Sequence, residues 1–391
     1  MANDRKIGVL HFSSHDEECG VAKYLEHYIK GMEDVPEIEN EYFEVSPYAT
    51  PGMSASDLDA MAVKLRLKLK DFDILHVQHE FALYAHDSFR RIVEAGKQSG
   101  KKIVITVHIS PSLHGASKPA HLKGLGPHSL VLYLRDARHY KWFVDSYIEP
   151  FKMADIVIVH NEATANSLKG FGIAPYRIKK LAHPVQAYDT PTPSKRIATA
   201  LNKKHGDVIY CTIGYLHRFK GIVDAVKALK YLPENYKLAI LGGMKEDNDD
   251  IGYYNKLTDL ISDWGLRDRV YITGYVPTDN ELNGAIRECD MCVYPFDRVY
   301  YSNVSSGSFN QGFANGMPVV AYPTDTIKEM AEISGGAVVL TETFAYYELA
   351  RSIQSIDLKK QRDLSRAYAE KAAWPKVSKD LAKLYADLAT S

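Results

Sequence analysis

The feature that most constrains this chain is a rhythm, in which short runs of β-branched and aliphatic residues alternate with longer amphipathic stretches. In the first half the runs are Ile7–Phe12, Ile74–Val77, Ile103–Val107 and Ile156–Val159. A run that is apolar at nearly every position has no polar face to offer water, so it suits a strand buried on both sides. The stretches between them, such as Val21–Gly31 and Leu58–Leu69, have helical periodicity and supply the crossovers that parallel strands require. The rhythm breaks over residues 186–206, where Tyr188-Asp-Thr-Pro-Thr-Pro-Ser-Lys carries two prolines that resist helix and central strand alike. It then restarts with Val208–Ile213, Leu238–Leu241, Val270–Thr273, Met291–Tyr294, Val319–Tyr322 and Val338–Leu340. The closing stretch, Trp374–Leu388, begins Trp-Pro, which fits a helix start, and places Val377, Leu381, Leu384, Tyr385 and Leu388 on one face.

Two α/β halves follow from this pattern, each a doubly wound, Rossmann-like parallel sheet. The expected boundaries are 1–190 for the first domain, 191–206 for a linker, 207–372 for the second domain, and 373–391 for a terminal helix packing back on the first. A chain of 391 residues is also longer than one hydrophobic core usually serves. With 46% apolar and 25% charged residues and a net charge of −1, the chain has no bulk attraction for nucleic acid or anionic lipid. No stable partner of either kind is therefore expected, and the oligomeric state is left open. Four cysteines make no disulfide framework in a chain of this length. The first apolar run is too short for a secretory signal, and no segment approaches a membrane span, so the expected location is cytoplasmic.

Doubly wound sheets hold ligands beyond the carboxyl ends of their strands, and two such sheets facing each other would place the ligand in the cleft between them. The informative residues do follow the strands. Gly20 stands where the loop after the first strand turns into a helix. Gly214-Tyr-Leu-His-Arg-Phe-Lys-Gly221 follows the first strand of the second half and sets Arg218 and Lys220 just before a helix, where two cations suit a diphosphate. Leu241-Gly-Gly243 makes another tight turn, and Tyr301-Ser-Asn-Val-Ser-Ser-Gly-Ser-Phe-Asn-Gln311 puts Ser305, Ser306 and Gly307 at a helix start suited to phosphate oxygens. In the first half only His79-Glu80 and His108 follow strands among many histidines, which marks these three for an acceptor-side role.

The string Gln311-Gly-Phe-Ala-Asn-Gly-Met-Pro-Val-Val resembles the Glu-Ala-x-x-x-Gly-x-Pro-Val segment of glycosyltransferase family 4, the retaining GT-B enzymes. Gly214–Gly221 resembles that family's Gly-Arg-Leu-x-x-x-Lys-Gly, and Leu238-Ala-Ile-Leu-Gly-Gly and Val270-Tyr-Ile-Thr-Gly-Tyr-Val resemble its next two strand ends. Gly20-Val-Ala-Lys-Tyr, Val77-Gln-His-Glu-Phe, Val107-His and His183-Pro-Val match segments of one branch of its N-terminal domains. The resemblance spans essentially the whole chain. It implies a GT-B fold whose donor is a nucleoside diphosphate sugar, with no further cofactor and no dedicated metal. Residue by residue, it implies Lys220 on the donor diphosphate, Gly20 approaching the same group, and His108 beside the donor sugar and the reacting centre. It further implies residues around Tyr275 near the nucleobase, the Ser305–Gly307 amides on sugar or phosphate, and position 311 on the ribose hydroxyls.

Three positions depart from the family pattern. Tyr215 stands where the family has arginine, and Arg218 is the substitute expected here. Asn303 and Gln311, with seven residues between them, replace two glutamates. Both amides still hydrogen-bond a hydroxyl, without the charge that strengthens the bond. The expected activity is transfer of a sugar with retention to an unidentified acceptor hydroxyl. A catalytically weakened sugar-nucleotide-binding protein, or another GT-B enzyme such as a sugar-nucleotide epimerase, are the competing expectations. Cys289-x-x-Cys292, with no second pair, reads as packing, Asp247-Asn-Asp-Asp250 as a solvated loop or cap, and Lys64–Lys70 as a helix with its cations in water. Ser110–Gly126 reads as a long loop that helps shape an acceptor site.

Overall fold

The computed structural model describes residues 5–15, 19–84, 87–110, 127–186, 195–244, 248–302, 304 and 306–391. Residues 111–126, 187–194, Asp247, Asn303 and Ser305 lie outside the described residues. The chain divides into two compact units, Met1–Ala182 with Asn303–Ser305 and Trp374–Ser391, and His183–Ser302 with Ser306–Ala373.

The first unit is built on a six-stranded, all-parallel sheet in the order β2-β1-β3-β4-β5-β6. Its strands are β1 (Ile7–Phe12), β2 (Ile38–Tyr42), β3 (Ile74–His79), β4 (Lys102–Val107), β5 (Ile156–Val159) and β6 (Ile178–Lys180). Successive residues of a strand face opposite sides, so each apolar run feeds two cores. Phe12, Leu75, Val77, Ile103 and Ile105 pack with Leu58 and Leu65 of helix Ala55–Lys68 and Phe89 and Ile92 of helix Ser88–Gln98. On the other face Val9, Ile74, Val104 and Ile158 meet Tyr24, Leu25 and Tyr28 of helix Gly20–Lys30, together with Trp374, Leu381 and Tyr385 of helix Trp374–Ala389. The last two helices approach so closely that a side chain at Gly31 would collide with the Ser378 hydroxyl. Each fully buried aliphatic or aromatic side chain in these layers contributes about 1.5–3 kcal/mol. Lys64 and Lys68 pair with Glu44 and Glu41 at the surface while Leu65 and Leu69 of the same basic run are buried.

The strands β2 and β6 are absent from the list of apolar runs, and their position explains it. Both are edge strands. The β2 sequence Ile-Glu-Asn-Glu-Tyr buries only Ile38 fully, and β6 is Ile-Lys-Lys with both lysines exposed. A strand wetted on one side needs no continuous apolar run, and charge along an edge discourages pairing with another chain.

The second unit repeats the plan in the order β12-β11-β10-β7-β8-β9, again all parallel. The strands are β7 (Val208–Ile213), β8 (Tyr236–Leu241), β9 (Val270–Ile272), β10 (Met291–Tyr294), β11 (Val319–Ala321) and β12 (Val338–Leu340). These six coincide with the apolar runs of the second half to within two residues at either end. One core joins Tyr210, Leu238, Ile240, Val293 and Val320 to Ile222 and Val226 of helix Ile222–Ala228 and Leu349 and Ile353 of helix Tyr346–Ser355. A short helix, Arg196–Ala200, buries Ile197 and is tied down by the Ala198 amide donating to Glu288 at 2.9 Å. Strand order reverses between β1 and β3 in the first unit and between β7 and β10 in the second. In doubly wound sheets the loops that leave such a reversal point generally diverge, and ligands bind in the crevice that results.

Candidate functional site

The second unit gathers a cation and helix-start amides at its reversal point. After β7 the chain makes a 3₁₀ turn, Arg218–Lys220, and enters helix Ile222–Ala228 through Gly221. Gly221 has φ +67°, and a side chain there would collide with the Pro295 carbonyl after β10, so glycine is what lets the two strand ends close up. This closeness brings Lys220 to helix Gly307–Ala314. The Lys220 Nζ donates to Ser308 Oγ at 2.7 Å and to Ser306 Oγ at 3.4 Å, and the two hydroxyls lie 2.9 Å apart. The rings of Phe296 and Tyr301 wall the ammonium at 5.0 and 5.5 Å. Lys220 keeps some contact with solvent, yet the groups packed around the ammonium desolvate it enough to bring its pKa down to about 8. Among the described residues no carboxylate pairs with Lys220, and its hydrogen bonds go to hydroxyls. Holding a desolvated cation without a counter-charge costs free energy that a bound anion would relieve.

The helix start adds to this. Ser306, the N-cap of Gly307–Ala314, makes no side-chain capping bond, because its hydroxyl turns to Lys220 and Ser308. Amides at a helix start that are not taken by a cap remain directed at whatever lies beyond it. Gly214 lies beside the cation, and a side chain there would stand 3.4 Å from Lys220 Nζ. Arg218 is exposed and lies over the Phe219 ring at 4.6 Å, and Phe219 in turn stacks on Tyr300 at 4.4 Å.

Gly243 follows β8, and a side chain there would come within 2.5 Å of the Tyr275 amide, so this glycine allows the ends of β8 and β9 to touch. Tyr275, 49% exposed, and Tyr215, 38% exposed, lie nearly parallel with ring centres 6.2 Å apart. The residue replacing the family arginine is therefore part of an aromatic pair. Gln311 is partly buried one turn into its helix, and its side chain has no hydrogen bond to a described residue. Its neighbour Asn310 is committed, with Nδ2 2.6 Å from His183 Nδ1, and burial pushes that imidazole down to about 4. Ser308, Phe296 and Tyr301 were not singled out in the sequence. Spacing alone offered a signal only for Ser308, two residues past Ser306.

In the first unit the strand ends present histidines. Gly20 is the exposed first residue of its helix, whose N-cap is Cys19, with Sγ accepting from the Ala22 amide at 3.2 Å. His108 follows β4, meets Tyr24 edge-on at 4.7 Å, and bonds Gln78 at 2.9 Å. His79 ends β3 fully buried among Phe81, Tyr84, Phe89 and Phe151, with ring centres 4.3–5.7 Å away, the setting of a core residue. Glu80 is partly exposed and starts the 3₁₀ turn Phe81–Leu83. Cys289 and Cys292 are buried, and Cys292 lies 3.6 Å from Cys211, also buried. Among the described residues no group of three or more His, Cys, Asp or Glu side chains is arranged to hold a metal ion. No described helix is long and apolar enough to cross a membrane.

Comparison with known proteins finds family matches on both halves of the chain. The profile of the family described as glycosyl transferases group 1 matches residues 193–373, and that of Glycosyltransferase Family 4 matches 31–186. No curated protein sequence matches the chain. Among solved structures, Anabaena HepE in complex with UDP is similar with TM-score 0.67 at 16% identity, over 98% of this chain and 100% of HepE. Sucrose-phosphate synthase from Thermosynechococcus elongatus is similar with TM-score 0.69 at 17% identity, over 99% and 100% of the two chains. A glycosyltransferase from Rickettsia africae gives 0.69 at 14% identity, over 98% of each chain. Identities this low speak to the fold, while the profiles speak to the family. The chain belongs to the family 4, group 1 glycosyltransferases and has their GT-B fold of two Rossmann-like domains.

Proposed function

We propose that the protein is a retaining glycosyltransferase that takes its sugar from a nucleoside diphosphate sugar. The observation that carries this is Lys220, a desolvated ammonium that among the described residues has hydroxyl and ring partners but no carboxylate, beside an uncapped helix start. A diphosphate would complete it, with charge from Lys220 and Arg218 and amide dipoles from Gly307 and Ser308. The same groups would stabilise the diphosphate as it leaves, which is where negative charge grows in the transition state. The acceptor hydroxyl would then attack from the face the diphosphate departs, its proton passing to a phosphate oxygen. His108 and Gly20 are assigned to the donor sugar and the diphosphate, Tyr275 to the nucleobase, and Gln311, with Asn303, to ribose or sugar hydroxyls.

UDP-glucose is the first donor to test, since HepE has been solved with it. The assay is UDP release from UDP-glucose, with binding followed by calorimetry. Failure to bind any sugar nucleotide overturns the proposal. Tight binding without release, restored by glutamate at positions 303 and 311, would instead identify a weakened enzyme that keeps its donor site.

A further inference from the structure

The first unit contains a buried hydrogen-bonded chain that joins Tyr385 to His108. The His108 Nε2 lies 2.9 Å from Gln78 Oε1, the Gln78 Nε2 lies 3.2 Å from His76 Nε2, and the His76 Nδ1 lies 2.5 Å from the Tyr385 hydroxyl. Thr106 Oγ1 also meets His76 Nε2, at 2.8 Å. His76, Gln78, Thr106 and Tyr385 are all essentially without solvent contact. The bond from His76 to Tyr385 spans 309 positions of sequence.

The chemistry of the amide sets a direction along this chain. A glutamine oxygen only accepts and its nitrogen only donates. With the oxygen toward His108, the His108 Nε2 must carry hydrogen. With the nitrogen toward His76, the His76 Nε2 must offer its lone pair, so its single hydrogen sits on Nδ1 and is donated to Tyr385. Burial keeps the His76 ring well below its ordinary pKa and hence neutral, which is what this pattern of one donor and one acceptor requires. Turning the amide round would force both imidazoles to exchange tautomers together, inside a packed layer.

We propose that Gln78 is a positioning residue that fixes the ring plane and the Nε2–H tautomer of His108. In any imidazole with a single hydrogen, placing that hydrogen on Nε2 makes Nδ1 the accepting nitrogen, which suits a donor-sugar hydroxyl rather than a phosphate oxygen. This deepens the assignment of His108 to the donor sugar and rests on it.

The test uses the full-length protein with ¹⁵N-labelled histidine rings. The His108 Nε2–H cross-peak is expected in the wild type, lost in Gln78→Met, and kept in Gln78→Glu, which retains the acceptor. In UDP release from UDP-glucose, Gln78→Met is expected to lower kcat about tenfold or more with KM changed less than about threefold, as misplacement of a reacting group does. Gln78→Glu is expected to recover much of that kcat. Hydrogen on His108 Nδ1 in the wild type overturns the proposal, and so does a Gln78→Met effect confined to KM or absent. If His108→Ala leaves UDP release unchanged while the cross-peak still follows Gln78, the failed element is the assignment of His108 to the donor, not the bond.

Discussion

The two units turn the same architecture to opposite electrostatic ends. Around the β7/β10 reversal the second unit keeps a charged ammonium in partial burial, with serine hydroxyls and aromatic rings but, among the described residues, no carboxylate. In β1 and β3 the first unit buries the imidazoles of His11 and His76 in surroundings that favour the neutral form. His11, bonded to Asn40 at 2.8 Å, is pushed down to about 4 by burial, and His76 is driven well below its ordinary range. A buried cation left without a counter-ion is costly and is tolerated where a ligand will supply the charge. A buried neutral network costs little when every donor meets an acceptor, and it supplies geometry rather than attraction. Binding strength for an anion should therefore reside in the second unit, and orientation in the first.

The largest expected effect breaks the charged side. Lys220→Ala should weaken UDP binding by about 2–3 kcal/mol, roughly 30- to 150-fold, because a charge-assisted bond is lost. Calorimetry showing unchanged affinity would remove Lys220 from the site. On the neutral side, Tyr385→Phe strands the His76 Nδ1–H inside the core and should cost about 1–3 kcal/mol of stability. That loss is read as a lower denaturation midpoint with an unchanged m-value, and UDP affinity should move little.

Between these lies pH. The Lys220 pKa of about 8 is below the ordinary lysine value, so the unfolded chain binds more protons than the native one between the two values. The burial cost is fully present below about pH 8 and is relieved as pH rises through it, so this group makes the unliganded protein more stable toward alkaline pH. Anion binding has the opposite sign: it needs the charged form and should fall about tenfold per pH unit above that value. UDP affinity that stays flat from pH 7 to 9.5, a range chosen to bracket the pKa of about 8, would show that Lys220 does not carry the attraction. The smallest effect expected is that of Ser308→Ala, which removes one neutral partner of Lys220. It should change UDP affinity by about 0.5–1.5 kcal/mol, with either sign informative about whether the hydroxyl shares the ligand or competes with it.

The sequence carried the interior strands of both sheets and the helices at 20–30, 55–68 and 374–389 closely, since full burial leaves an unmistakable apolar run or stripe. It missed the edge strands Ile38–Tyr42 and Ile178–Lys180, where one-sided burial imposes little pattern. Lys220 and Ser306 were legible because they follow strands at a turn. Phe296 and Tyr301 were not, because aromatic residues near a strand end look the same whether they wall a cation or fill a core. His79 shows the converse difficulty. Its position after β3 matches that of His108 after β4, yet the former is enclosed by aromatic rings and the latter reaches a polar partner.

The sequence by itself determined the fold class and the family, because hydrophobic periodicity and ordered strand-end motifs are local properties of the chain. Only the tertiary structure decided which residues act as a set. Lys220 meets Ser308 across 88 positions and Gln78 meets His108 across 30. Contacts at such separations depend on strand order and on the close approach that glycines such as Gly221 permit. No local pattern encodes them, since the free energy that selects them comes from burying both partners at once.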